Sequence, residues 1–244
     1  MAGYLNYDAL TTLLHFDSDY TDTSGTPKTW TNTGSTISSG VTPKFGPKCM
    51  YQNYAKIVCG SILLPASADW TIEAWVYRVG AGSWVNFVTQ YASGTGFSIQ
   101  IANNTQGSNS HKVRITNGVT TILFSDNTVL VPYSQWAHVA VSRASNTYRV
   151  FVNGVLSASA SDGTAIPAIV TAIGGYSDTG GSTIDTYIDE FAIHNYAEYT
   201  SSFTPLDIPY ADYPLNDKLI PRKNLSVTRP IKPNQNILLK SKGI

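Results

Sequence analysis

No run of a dozen residues in this chain keeps apolar positions at helical spacing, and that absence restricts the fold more than any single motif does. Short apolar or alternating runs bounded by Gly, Pro, Asn, Asp and Ser recur instead from end to end. That is the pattern of half-buried strands separated by turns. It predicts strands at 13–16, 49–52, 56–59, 70–78, 83–91, 96–101, 112–116, 121–125, 136–143, 147–152, 168–173 and 187–194. A dozen strands of this length make a sandwich or a barrel. Asn117-Gly118 and Asn153-Gly154 each stand between two such runs. Both residues of such a pair tolerate positive φ, so a hairpin is expected at each.

Composition agrees. Val, Ile, Thr, Tyr, Trp and Phe are plentiful and the helix formers Glu, Gln and Met are scarce, a balance that favours a pleated, half-buried surface. Charged residues are 13% of the chain, so neutral hydroxyls and amides must cover most of the surface. The expected class is all-β. A chain of 244 residues fits one large sandwich better than two small ones. The expected organisation is a lead-in at 1–12, a sandwich at 13–205 and an extended C-terminal arm at 206–244.

The arm is set apart by charge and by proline. Seven of the sixteen basic residues and none of the sixteen acidic ones lie from Lys218 onward. Residues 1–217 therefore carry nine basic against sixteen acidic groups, a net charge of −7. Pro209, Pro214, Pro221, Pro230 and Pro233 would interrupt any strand or helix. Yet Leu219, Ile220, Ile237, Leu238 and Leu239 form apolar patches near Arg222, Lys223 and Arg229. These residues are expected to order on another surface, such as a neighbouring copy. Such charge asymmetry is also compatible with nucleic acid, but the basic residues are interleaved with prolines and apolar residues, so a docking arm is preferred. Residues 1–14 hold no Lys or Arg and no long apolar run. Neither a secretory signal nor a membrane anchor is read there. Cys49 and Cys59 are too few for a disulfide framework. Two buried thiols are expected, with a cross-strand bridge as the alternative if the runs flanking Tyr54 pair.

Three segments in order carry a resemblance: Trp70-Thr71-Ile72-Glu73-Ala74-Trp75-Val76; then Gln135-Trp136-Ala137-His138-Val139-Ala140-Val141-Ser142-Arg143 with Arg149-Val150-Phe151-Val152-Asn153-Gly154; then Tyr187-Ile188-Asp189-Glu190-Phe191-Ala192-Ile193 followed by Tyr199-Thr200-Ser201-Ser202-Phe203-Thr204-Pro205. With Leu13-Leu14-His15-Phe16-Asp17 they resemble the laminin-G-like, concanavalin A-like jelly roll, in a form met in bacteriophage structural proteins. The resemblance spans about residues 13–205. It implies two curved antiparallel sheets packed face to face, with ligands at rim loops or on the concave sheet. Alternation in 136–141 independently puts Trp136, His138 and Ala140 on one face and Ala137, Val139 and Val141 on the other, as in an inner strand covered on both sides. Trp75 and Phe191 are expected to fill the core.

The superfamily includes glycoside hydrolases, and a retaining glycosidase needs two carboxyls about 5 Å apart. Asp189 and Glu190 are adjacent, so a regular strand would point them to opposite faces. Hydrolysis is the least favoured reading and no catalytic residue is assigned. The four histidines, His15, His111, His138 and His194, lack metal-ligand spacing. Calcium is the one metal considered: the resemblance places it between the 17–25 loop and the C-terminal strand, with Asp17, Asp22 and Asp189 as ligands. The competing reading of that loop is a capped turn in which Asp22 and Ser24 bond their own backbone. A sugar site needs aromatic rings beside amides and carboxylates, and Trp30, Trp84, Tyr91, Tyr133, Tyr176 and Tyr187 lie near turns. The expected function is a non-enzymatic virion structural protein, as capsid decoration or tail or fibre component. Its expected partners are other virion proteins and copies of itself. The alternative is a lectin module for host-surface glycan, and neither nucleic acid nor membrane is an expected partner.

Overall fold

The structure is a computed structural model that describes residues 9–53, 55–79, 84–92, 95–102, 106–174 and 185–211. Fifteen strands are present among them: β1 (Leu10–Leu14), β2 (Trp30–Thr33), β3 (Thr36–Ser38), β4 (Cys49–Gln52), β5 (Lys56–Cys59), β6 (Trp70–Arg78), β7 (Trp84–Ala92), β8 (Thr95–Ala102), β9 (Val113–Asn117), β10 (Thr120–Phe124), β11 (Trp136–Ala144), β12 (Thr147–Val152), β13 (Val155–Ser161), β14 (Thr171–Gly174) and β15 (Thr186–His194). They form two antiparallel sheets. Sheet A runs β13-β12-β11-β6-β15-β4-β3, with β1 also paired to β15, and sheet B runs β10-β9-β8-β7-β14-β5-β2.

Period-2 alternation supplies the core between them. From sheet A, β6 sends in Ile72, Ala74 and Val76, β11 sends in Ala137, Val139 and Val141, and β15 sends in Ile188, Phe191 and Ile193. From sheet B come Ile57, Val85, Phe87, Phe97, Ile99, Ile101, Val113, Ile115 and Ile173. Both predicted hairpins form. Asn153 and Gly154 take φ of 49° and 77° between β12 and β13, and Gly118 takes 59° between β9 and β10. Strand β1 ends two residues earlier than predicted because Phe16 adopts φ of 63° and leaves the pleat. The short strands β2 and β3, of polar sequence, were not predicted.

Two buried guanidiniums fix strand ends. Arg78 donates to the carbonyls of Ala102 (2.8 Å) and Pro132 (3.2 Å), and burial pushes it down to about 10, so it stays charged at neutral pH. Arg143 donates to Ala68 O (2.9 Å) and Asn146 Oδ1 (2.6 Å) at the other end of the same strand pair. The two thiols are buried and free. Cys49 belongs to sheet A and Cys59 to sheet B, so their strands never pair across a shared turn.

Two chain segments cross the outward face of sheet A. Residues 39–48 approach it through the Phe45 N–H, which donates to Asp189 Oδ2 (3.0 Å). Residues 195–211 cover it further along. Tyr199 and Phe203 stack there at 3.5 Å against Phe151, and Tyr210 and Ala211 pack on Leu10, Leu13 and Ala192. The packed chain thus continues to Ala211. Residues 9 and 10 lie beside both the end of β15 and this segment: the Asn195 N–H donates to Ala9 O (2.9 Å), and Tyr210 packs on Leu10.

Candidate functional site

Among the described residues, the outward positions of sheet A gather five buried ionisable groups, Glu73, His138, Asp189, Glu190 and His194. Glu73 sits on β6 between His138 of β11 and His194 of β15, because register places Ala140 and Ala192 opposite Glu73 and the histidines one pleat away. Its carboxylate takes His194 Nε2 (2.7 Å), His138 Nε2 (3.1 Å), the Tyr199 hydroxyl (2.8 Å) and the Tyr210 hydroxyl (2.5 Å). Burial pushes Glu73 up, but the hydrogen bonds and charge of His138 and His194 outweigh it and hold the carboxyl well below its usual range. This node clamps residues 195–211 to the sheet.

Asp189 and Glu190 depart from the sequence expectation. Ile188 and Phe191 both point into the core, so two residues, not one, lie between inward positions. A β-bulge accommodates them, with Glu190 at φ of 52° and the register to β6 shifting between Asp189 and Ala192. Both carboxylates therefore lie outside the core, and the opposite-face argument against hydrolysis does not hold. Both are engaged by other segments of the chain. Glu190 joins His15 Nδ1 (2.5 Å) and accepts the Tyr210 N–H (2.8 Å), while Asp189 holds Phe45. Burial pushes Asp189 up to about 7 against that backbone hydrogen bond.

The calcium set is not assembled. Asp22 Oδ1 accepts the N–H groups of Leu13 and Ser24 and its Oδ2 accepts that of Lys28, each at 3.0 Å, so both oxygens organise the loop as a cap. Asp17 lies against Gly46 and acts electrostatically on Asp189. Of the three, Asp17 and Asp189 lie within electrostatic reach of each other, and Asp22 is committed to backbone. Among the described residues no three His, Cys, Asp or Glu groups are placed to hold a metal ion.

The predicted sugar-contact residues whose side chains are described, Trp30, Trp84, Tyr133 and Tyr187, are scattered. Trp30 is a core residue, 9% exposed, because its position on β2 faces inward. Trp84 lies on the outward face of sheet B with the Arg114 guanidinium stacked on its ring at 3.8 Å. That guanidinium is aimed by Gln100 Oε1 (2.9 Å), and Gln100 in turn donates to Asn86 (2.7 Å). The two amides are buried and one indole face is occupied, so this cluster stabilises itself. Tyr133 packs edge-on to His111 and near the Arg78 guanidinium (5.8 Å). Tyr176 and the Tyr91 side chain lie outside the described residues, as does every named residue of the arm beyond Ala211.

Of the four whose side chains are described, Tyr187 belongs to an open aromatic array. On the outward face of sheet A, Tyr51 of β4, Tyr187 of β15, Tyr77 of β6 and Trp136 of β11 form one row across four neighbouring strands. Successive ring centroids are 5.0, 6.2 and 5.5 Å apart. All four are partly exposed. At one end Asp185 accepts from the Tyr51 hydroxyl (2.6 Å) and the Asn53 amide (2.7 Å). Residues 40–45 form a wall, where Thr42 O accepts the Trp136 indole N–H (2.8 Å) and Lys44 Nζ lies 4.1 Å above the Trp75 ring. Trp75 itself is no core filler: it shares this face, edge-on to Phe45 and His138. Phe191 is a core residue as expected. Tyr51, Tyr77 and Trp136 were missed as site residues. Their outward parity was readable, but cross-strand register was needed to align them.

Two antiparallel sheets around one core, with an aromatic row on an outward face, define a lectin-like sandwich. The chain belongs to the laminin-G-like branch of the Concanavalin A-like lectin/glucanases superfamily, whose family model matches residues 51–199. None of the curated proteins compared matches it. Among solved structures it is similar to domain 4 of AbnA, a GH43 extracellular arabinanase from Geobacillus stearothermophilus in complex with arabinotriose. The TM-score is 0.61 at 20% identity, over 77% of this chain and 93% of that one. It is also similar to botulinum neurotoxin type C, in a structure concerned with two ganglioside molecules (TM-score 0.57, 15% identity, 78% of this chain and 49% of that one). A third is the binding domain of botulinum neurotoxin DC in complex with rat synaptotagmin II (TM-score 0.58, 14% identity, 78% and 49%). The chain spans about half the length of the two neurotoxin chains. At these identities the likeness is one of fold.

Proposed function

We propose that the sandwich is a non-catalytic carbohydrate-binding module whose ligand face is the row Tyr51, Tyr187, Tyr77 and Trp136. The observation that carries this reading is the alignment of four partly exposed rings beside a carboxylate and an amide, Asp185 and Asn53. Sugars stack their apolar faces on such rings and hydrogen-bond at the rim. The glycan-related neighbours make the same use of the fold plausible. A glycan array on the full chain tests it, with Tyr187→Leu and Trp136→Leu as partners. Retained binding in both variants would move the site elsewhere, and no binding by the parent would end the reading for the glycans sampled.

The carrier we propose is a virion structural protein, as capsid decoration or tail or fibre component, fastened by the arm to other virion proteins or to copies of itself. Its support is the contrast between a body of net charge −7 and a proline-punctuated segment from Lys218 onward with seven basic residues. A deletion of 212–244 keeps Tyr210 on Glu73. It should melt like the parent yet fail to enter particles, and normal incorporation would remove the arm from that role.

A further inference from the structure

The aromatic row follows a line of register. Tyr51 pairs with Tyr187, Tyr187 with Tyr77 and Tyr77 with Trp136, so the four rings stand on directly opposed positions of β4, β15, β6 and β11. The row therefore runs straight across the strands, and strand spacing itself sets neighbouring rings about 5 Å apart. It also runs out at both ends. At one end Thr36 of β3, which is exposed, pairs with Tyr51 and prolongs the line. At the other, β12 joins β11 only from Val139 onward, so among the described residues no strand flanks Trp136 on that side. Along one flank stands the wall of residues 40–45, where Thr42 O holds the Trp136 indole. Along the other lie Asp185 and Asn53.

A pocket closed at one end captures the terminus of a chain, whereas a trough that runs out at both ends takes an interior segment. Shape narrows the ligand. Pyranoses joined 1,4 through equatorial bonds make a nearly straight chain that advances by about one strand spacing, about 5 Å, per residue. An axial linkage bends the chain off such a line. The successive ring planes are inclined by 42°, 82° and 63°, so no two neighbours make one flat platform and face contact is offered at every second ring at most. The straight chain alternates in the same way: each residue is turned over relative to the last, and every second one lays the same apolar face on the rings. Charge narrows it further. The Asp185 carboxylate lies beside the row, and the Lys44 ammonium of the wall is paired with Asp207 (2.7 Å). A chain with an anionic group on each residue is repelled there, while hydroxyls and amides are accepted. We propose that the row binds an interior segment of a straight, uncharged, equatorially 1,4-linked glycan chain, with one sugar on each of Tyr51, Tyr187, Tyr77 and Trp136. This rests on the reading of the row as a ligand face and names the class of ligand.

Calorimetry on the full chain tests it, with cello-, manno- and chito-oligosaccharides of two to six residues as straight chains and malto-oligosaccharides as bent ones. In at least one straight series affinity should rise about tenfold, or about 1.4 kcal/mol, from disaccharide to tetrasaccharide and level off beyond it. Bent chains of equal length, and the same straight chains with their primary alcohols oxidised to carboxylates, should each bind about tenfold more weakly. Thr36→Trp adds a ring at the next register position and should move the plateau to the pentasaccharide. A disaccharide bound as tightly as a tetrasaccharide, bent or carboxylated chains bound as tightly as straight neutral ones, or a plateau unmoved by Thr36→Trp would overturn the proposal. Its failure is separable from that of the ligand reading. Glycans captured by the parent on the array and lost in Tyr187→Leu, with no straight series bound, sink the straight chain and leave the ligand face standing. Capture of no glycan ends the ligand reading, and this proposal with it.

Discussion

A carboxylate held by two imidazoles and two phenols behaves differently from one at the surface. Removing one partner from a buried charged pair typically costs about 3–5 kcal/mol, because the remaining groups keep their desolvation penalty. Glu73→Gln should therefore destabilise the fold by about that amount at pH 7, measured by urea unfolding. The pH dependence has a definite sign. The folded-state carboxyl is held below its ordinary value of 4.5, so its stabilisation is full above that value and is lost as pH falls through the folded one. The gap between parent and variant should narrow in acid. Cys49 gives a second residue-scale prediction. Burial, reinforced by the nearby Asp189 charge, pushes its thiol up to about 12, and Cys59 is fully buried too. A thiol-specific reagent at pH 8 should label neither residue in the native protein and both after unfolding.

Among the elements, the 153–154 hairpin does more than reverse the chain. An added Cβ on Gly154 would lie 2.0 Å from Phe203 O, and φ there is positive. Gly154→Ala should thus cost at least the 1–2 kcal/mol of a left-handed non-glycine residue. It should also loosen 195–211, seen as faster proteolysis near Phe203. The turn itself was legible from Asn-Gly, but the segment docked on it was not, because that contact joins residues about fifty apart. The same distinction separates the other successes from the misses. Long alternating strands such as β6, β11 and β15 were readable because their parity is local. Strand β2 offers one buried residue, Trp30, ahead of Thr31, Asn32 and Thr33, all exposed. Such a segment resembles a loop until it finds β5. The bulge at Asp189 and Glu190 was invisible for a related reason: a regular strand is the default reading of TYIDEFAIH, and only packing of both Ile188 and Phe191 inward forces the extra residue out. Tyr187 was identifiable as an outward aromatic. Its alignment with Tyr51, Tyr77 and Trp136 follows from sheet order and cross-strand register together.

For the molecule as a whole, the Asp22 cap separates structure from ligand binding. Both its oxygens hold backbone, and the proposed ligand face uses rings, an amide and Asp185 rather than a metal. Glycan affinity measured by calorimetry should accordingly be the same in calcium and in a chelator, and a loss of binding in the chelator would contradict that face. Asp22→Ala should act on stability instead, by about 1–2 kcal/mol as other lost caps do. The proximity of residues 9–10 to residues 195–210, Ala9 with Asn195 and Leu10 with Tyr210, has a mechanical consequence. A module entered and left at one spot can be spliced into a surface loop of another chain without stretching it. Tension along such a chain would load sheet A first, because β1 pairs with β15 and Tyr210 is tied to Glu73 of β6.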